Sequence, residues 1–390
     1  MLYAYYLLGA AAAAFALPQD SSAVNGSLDA TTYSTATKLQ NINYGAFTQT
    51  ATYSIANQLG YFKAYGLNVT YLQVPNSTYG YNQLLTGGYD IMTGTIDNAV
   101  NLRFNQKQPL TVTGQLDGGP ELTIASIPSI TSITQLKGKP LMVDSPVSGY
   151  AYILRKVLAL HGLYLENGDY TFQVSLEYFS SRFPANIDKV VGSTVIRYAD
   201  LVAGKLPDGT PVYATIFTYP FTSQAGDVPT AQRPNILAKI SDFIQPFSSS
   251  AFTIREAALS NNAQRTLIRK FTSAMYAANQ YLASPGSRKC SISAISKQLN
   301  VSTSVATSAY TSANDPITGE TSSPGGNFTV NRQGLLNVID VRSQFGGFAS
   351  VPAGFNYADA ILPGQGKLID YSLRDDALKN LVSFSPSTKC

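Results

Sequence analysis

Two hydrophobic periods alternate along this chain, and their order sets the architecture. Residues 39–44 alternate as a strand. Residues 50–59 follow as a short helix with Ala51, Ile55 and Leu59 on one face and Gly60 as its stop. Residues 67–74 set Leu67, Val69 and Tyr71 against Asn68, Thr70 and Leu72, the pattern of a strand with one polar face. Residues 79–86 form a second helix, stopped by Gly87 and Gly88, and 89–94, 110–114 and 122–127 read as strands. A second block repeats the plan: strand 140–143, helix 150–161, strand 171–176, helix 196–203 and strand 212–217. The 150–161 helix carries Ile153, Leu154, Val157, Leu158 and His161 on its apolar face. Helices that stop at glycine and lead into strands predict an α/β chain of two similarly built lobes with mostly parallel sheets.

Beyond the two blocks the pattern is mainly helical. Residues 265–282 place Leu267, Ile268, Phe271, Met275, Ala278 and Leu282 at helical spacing, and 300–313 and 334–345 read as further helices. Residues 317–327 are a Gly/Pro/Ser/Thr loop, and 346–390 an irregular tail with one short helix near 373–382. The expected division is a first part of lobe 1 at 38–127, lobe 2 at 128–220, and a return to lobe 1 with C-terminal helices at 221–345.

The first 37 residues are of another kind. Residues 1–16, MLYAYYLLGAAAAAFA, are an unbroken apolar run ending in a small-x-small pattern at Ala14-Phe15-Ala16. That run is short for a membrane span and reads as a cleaved signal peptide. Residues 17–37 are Ser/Thr/Ala-rich without periodicity and are expected to be a flexible leader. No later stretch is long enough to span a bilayer, so the mature chain is expected to be secreted, extracellular and monomeric. Five Asn-x-Ser/Thr sequons, at Asn25, Asn68, Asn76, Asn300 and Asn327, fit a glycosylated secretory protein. The two cysteines, Cys290 and Cys390, are expected to form one disulfide.

Composition narrows the function. At 44% hydrophobic and 13% charged residues, the chain has the makings of a large core and is not a disordered one. A net charge of +4 with no Lys/Arg run gives no nucleic-acid footprint. Trp is absent and Tyr numbers 25, so aromatic pocket walls must be Tyr or Phe. There is no G-x-S-x-G elbow, no H-E-x-x-H, no P-loop and no G-x-G-x-x-G after a strand. A Ser-His-Asp triad would have to use His161, the single histidine, which the pattern places on an inward helix face. Metal sites built from several His or Cys are excluded by count. No spacing selects a carboxylate pair, so neither catalytic residues, nor a metal, nor a cofactor are expected.

Four segments in order carry a family resemblance. SIANQLGYFKAYGLNVTYLQV (54–74), LLTGGYDIMTG (84–94), SITQLKGKPLMVDSPVSGY (132–150) and ADLVAGKLPDGTPVYATIFTYPF (199–221) resemble the nitrate/sulfonate/taurine-type substrate-binding proteins. The match runs over roughly residues 42–345. It implies a two-lobed type II periplasmic-binding-protein-like fold with a cleft between the lobes, closing on a small-molecule ligand. The same family includes the fungal thiamine-pyrimidine synthases, enzymes with a cysteine-rich motif and an active-site histidine. This chain has no cysteine before Cys290 and only His161, a departure that argues against that activity. Two alternatives to a ligand carrier stay open: such an enzyme, or a surface interaction protein with an empty cleft.

Ligands of open α/β sheets sit outside the carboxyl ends of strands. That rule selects Phe47, Thr48 and Gln49; Thr95, Asp97 and Asn98; Ser145, Ser148, Gly149 and Tyr150; Glu177 and Tyr178; and Thr218 and Tyr219. The family's ligand loops fall on the same segments. Asp97, Ser145 and Ser148 also suit helix caps, and the amides beside the two serines suit an anion. With no Arg in these loops and Asp97 and Glu177 among them, the expected ligand is neutral or cationic, with a ring as one option.

Overall fold

The computed structural model describes residues 38–174, 176–177 and 190–386. The expected signal peptide, the leader, Asn25, Tyr178 and Cys390 lie outside them. The chain opens with β1 (Gln40–Ala46), α1 (Ala51–Gln58), α2 (Tyr61–Ala64), β2 (Leu67–Gln73), α3 (Ser77–Thr86), β3 (Ile91–Thr95), α4 (Ile96–Val100) and β4 (Leu110–Gln115). It crosses to β5 (Thr123–Ser126), β6 (Lys139–Met142), α5 (Gly149–Leu160), β7 (Tyr170–Gln173), β8 (Leu176–Glu177), β9 (Val190–Val191), α6 (Thr194–Ala203), β10 (Ala214–Phe217), α7 (Phe221–Ala225) and β11 (Asn235–Lys239). It returns with β12 (Ser250–Arg255) and continues through α8 (Asn262–Ala283), α9 (Arg288–Leu299), α10 (Thr303–Ala313), α11 (Arg332–Gln344), α12 (Tyr357–Ala360) and α13 (Ser372–Lys379).

Local chemistry sets the helix starts and stops that matter for the site. Thr50, Asn76 and Ser148 accept from the backbone N–H of Tyr53, Tyr79 and Ala151, capping α1, α3 and α5. Gly87, at φ 91°, ends α3 in the left-handed conformation that glycine adopts without a Cβ penalty.

The two main sheets share one plan. The first has the order β2-β1-β3-β12-β4 and the second, read the same way, β7-β6-β10-β5-β11. In each, the first three strands are parallel and the fourth is inserted antiparallel between its neighbours. The inserted strand is the one that has just crossed from the other lobe. The sheets are therefore mixed, where the sequence pattern suggested mostly parallel ones. The short strands β8 and β9 pair separately.

Several boundaries move with this topology. Strand β5 already belongs to the second sheet, and so does β11, so the return to lobe 1 comes after Lys239 instead of at 221. Neither β11 nor β12 was visible in a stretch that read as mainly helical. The tail is better packed than its composition suggests. Ile369 bridges Val112 of β4, and Leu368, Ile369, Leu373 and Ala377 are buried. His161 is also corrected: it caps the end of α5 and is exposed, its Nδ1 donating to the Val157 carbonyl at 2.8 Å and its ring edge-on to Phe243.

The lobe 1 core is aromatic. Phe271 of α8 is fully buried, stacked on Phe62 at 5.4 Å and tilted against Tyr44 at 4.9 Å. Among the sequons, Asn68 and Asn300 are exposed, while Asn76 and Asn327 are half-buried. Cys290 is buried in α9.

Candidate ligand-binding cleft

The carboxyl ends of β1, β3, β6 and β10 converge on one cavity between the lobes. This is the position the strand-end rule selects. Two crossovers, residues 116–122 and 240–249, run between the two sheets, and Asp117 ties them together. Its backbone carbonyl accepts from Ser249 N at 3.3 Å, and its Oδ1 accepts from Gly119 N at 2.9 Å and from Ser250 N, the first residue of β12, at 3.3 Å. The cavity is narrow, about 40 Å³.

Of the residues selected from sequence, Phe47, Thr48, Thr95, Ser148, Gly149, Tyr150, Thr218 and Tyr219 line this cavity. Gln49, Asp97, Asn98 and Ser145 do not. Gln49 accepts from Gln298 of α9 at 2.6 Å. Asp97 pairs with Arg342 of α11 at 2.8 Å, and Asn98 accepts from the same guanidinium at 2.7 Å. Ser145 is buried and accepts from Val147 N. Ser148 lines the cavity and caps α5 at once.

The charged lining comes mostly from elsewhere. Glu320, from the loop between α10 and α11, is fully buried, and its two oxygens accept from Ala51 N and Thr52 N at 2.7 Å each. A side chain of the protein thus fills the anion position that the first turn of α1 offers. Burial pushes its carboxyl up to about 7, against the pull of those amides and with Asp117 adding to the rise. Asp117 is raised too, chiefly by burial.

Arg197 of α6 enters from the other side. It is 1% exposed, donates to the Gly192 carbonyl at 2.6 Å and to the Thr194 hydroxyl at 3.3 Å, and leaves Nε without a partner. Burial lowers its pKa while nearby Asp144 favours its charge. The buried Tyr219 hydroxyl likewise has no partner among the described residues. Tyr150, also in the lining, is hydrogen-bonded to Ser249 at 3.0 Å. Burial raises it to about 12, and Asp117 adds to the rise.

Sequence reasoning missed Ser77, Asp117, Asp144, Thr194, Arg197, Ser250 and Glu320, all in the lining. Asp144 lies two residues past β6, and the strand-end rule covers it. Arg197 lies inside a helix turn and Glu320 in a loop far from any strand end, so no local signal marks either. Their arrival overturns the expectation of a site without arginine.

Contacts across the cleft hold the lobes together. Ser77 of α3 donates from both N and Oγ to Asp144 Oδ2, at 3.1 and 2.8 Å. Arg342 spans from Asp97 to the Val147 carbonyl, at 3.1 Å, and lies over the Tyr152 ring. Gly149 packs so closely on lobe 1 that a Cβ there would stand 2.2 Å from Asp97 Oδ1 and 2.6 Å from Thr95 Oγ1. Among the described residues, no group of three or more His, Cys, Asp or Glu is placed to hold a metal ion. No described helix is long and apolar enough to cross a membrane.

Comparison with known proteins agrees with this geometry. Residues 47–285, more than half of the chain, match the family described as NMT1/THI5 like. No curated protein sequence matches. Among solved structures, the chain is similar to the periplasmic nitrate-binding protein NrtA from Synechocystis PCC 6803, at 13% identity and TM-score 0.62, covering 88% of this chain and 89% of that one. It is similar to the alkanesulfonate-binding protein SsuA from Xanthomonas axonopodis pv. citri bound to MOPS, at 16% identity and TM-score 0.56, covering 81% and 96%. A conserved Candida albicans gene product with the generic periplasmic binding protein fold aligns at 17% identity and TM-score 0.54, covering 90% and 99%. At these identities the likeness is one of fold.

Proposed function

This chain belongs to the NMT1/THI5-like family, and from that premise we propose that it is a secreted small-molecule-binding protein that closes its two lobes on a small organic ligand without reacting with it. The observation that carries this reading is the cavity between the lobes. Strand ends of both sheets line it, and two buried polar atoms on its wall, Arg197 Nε and the Tyr219 hydroxyl, have no partner among the described residues. Buried groups of that kind are ordinarily satisfied, and a ligand in the cleft would satisfy both. The family likeness and the nitrate- and sulfonate-binding structures of the same fold support the binding role. Against an enzyme of the thiamine-pyrimidine type, His161 and Cys290 both stand outside the cavity lining.

Mass spectrometry of whatever leaves the purified protein on denaturation tests the reading directly, together with a thermal-shift panel of amines, pyrimidines, sulfonates and amino acids. A ligand at a hundred times its Kd adds about 2.7 kcal/mol of stability. No co-purifying molecule and no shift across the panel would favour an interaction protein instead. Turnover of a bound molecule would favour an enzyme.

Export is supported by the apolar run at 1–16 and by the exposed sequons Asn68 and Asn300. Secreted protein is expected to begin at Leu17 on N-terminal sequencing and to lose mass on deglycosylation. A Cys290–Cys390 disulfide is supported by the path of the C-terminus. Val382 N donates to the Tyr65 hydroxyl at 3.1 Å, and Phe384 packs on Tyr61, whose ring also meets Tyr281 of α8, the helix preceding α9. Alkylation with and without reductant, read by intact mass, checks the pairing.

A further inference from the structure

The geometry points to a ligand that carries both charges, a small amino acid or similar ammonium carboxylate, with its carboxylate on Arg197 and its ammonium group at the Asp117–Glu320 end of the cleft. This inference rests on the binding reading above and names the ligand class.

Arg197 is a buried guanidinium that, among the described residues, donates to neutral groups only, the Gly192 carbonyl and the Thr194 hydroxyl, while its Nε stays empty. Asp144 is near enough to favour its charge, but Asp144 Oδ2 is occupied by Ser77 across the cleft. A buried cation in this state is costly until an anion reaches it, and a carboxylate suits a guanidinium best because it can accept two parallel hydrogen bonds.

The other end has the opposite need. Asp117 and Glu320 are both buried, and each negative charge makes the other harder to form. Arg197 is the one basic residue in the lining among the described residues. An ammonium group placed by Asp117 and Glu320 would favour both carboxylates. The unpaired Tyr219 hydroxyl, close enough to Glu320 to feel its charge, offers the same group an acceptor.

Charge then excludes the simpler ligands. An anion alone would face Asp117, Asp144 and Glu320, and the first turn of α1 is already filled by Glu320. A cation alone would leave Arg197 unsatisfied.

The test is calorimetry and thermal shift on the mature protein at pH 7.5. The probes are the protein amino acids, β-alanine and γ-aminobutyrate, each set beside the amine and the carboxylate of matching length. At least one zwitterion is expected to bind, with the lone amine and the lone carboxylate about a hundredfold weaker or undetectable. Arg197→Gln should weaken that zwitterion by more than tenfold, since hydrogen bonds to charged groups contribute about 1.5–3 kcal/mol. Because Arg197→Gln risks misfolding, Tyr219→Phe is the second variant. It removes a hydroxyl that has no partner in the protein, so it should keep the wild-type melting temperature while losing affinity about tenfold. Unchanged zwitterion affinity in Tyr219→Phe would overturn the placement. Tighter binding of propionate, ethylammonium or an unrelated co-purified molecule would overturn the ligand class and leave the cleft reading standing. No binding by any probe, with nothing co-purifying, would remove both.

Discussion

Glu320 shows how much one residue contributes here. Its carboxyl is raised from 4.5 to about 7 by burial, so between those values the folded chain holds a proton that the unfolded chain has released. Stability from this group is complete below about pH 4.5 and is lost as pH rises through 7, by about 3 kcal/mol in all. Thermal melts from pH 5 to 8 should therefore show a falling midpoint, and Glu320→Gln should flatten that slope; an equal slope in both would refute the assignment. Arg342 is the counterpart at the back of the cleft. It is 2% exposed and meets Asp97, itself 4% exposed. Arg342→Ala leaves a buried carboxylate unpaired and should cost about 3–5 kcal/mol in urea unfolding. A cost below 1 kcal/mol would mean that water reaches Asp97. Asp97 itself was visible in sequence as a residue at a strand end, but its partner lies some 245 positions away, and only the fold joins them.

At the scale of elements, the legible parts were those with local periodicity. Helix α8 was predicted from Leu267, Ile268, Phe271, Met275, Ala278 and Leu282, and all but Leu267 are fully buried. Phe271→Ala removes a ring packed among Phe62, Tyr44 and Phe252 and is expected to cost about 3–5 kcal/mol by chemical denaturation. A loss near 1 kcal/mol would show that this aromatic core collapses into the space. Strand β12 was not legible, although it occupies the fourth place in the first sheet. Its residues Ala251–Ile254 are buried on both faces, and a strand without an exposed face shows no alternation. The mixed direction of both sheets has the same origin. It depends on which strand is inserted after each crossover, a non-local choice.

For the whole molecule, the repeated strand plan of the lobes makes two matched surfaces, and a few polar contacts join them. Ser77→Ala deletes one hydrogen bond to Asp144, worth about 1.5–3 kcal/mol because the acceptor is charged. It should shift the molecule toward an open form, read as a larger radius of gyration by small-angle X-ray scattering and as weaker ligand binding. Gly149→Ala should do the same for a different reason, since its methyl group would collide with Asp97 and Thr95. Scattering curves identical to wild type for both variants would show that these contacts do not set the closure.

The sequence by itself determined the α/β class, the pairing of similar blocks, most element positions and the strand-end segments from which eight cavity-lining residues come. These rest on periodicity, capping and glycine stops, which act over a few residues. Only the tertiary structure decided the charge of the cleft. Glu320 reaches α1 across 269 positions, and Ser77 meets Asp144 across 67. Arg197 turns inward from a helix face that no strand-end rule inspects. Charge in a cleft is a sum over groups brought together by folding, and nothing in local pattern records which distant group will arrive.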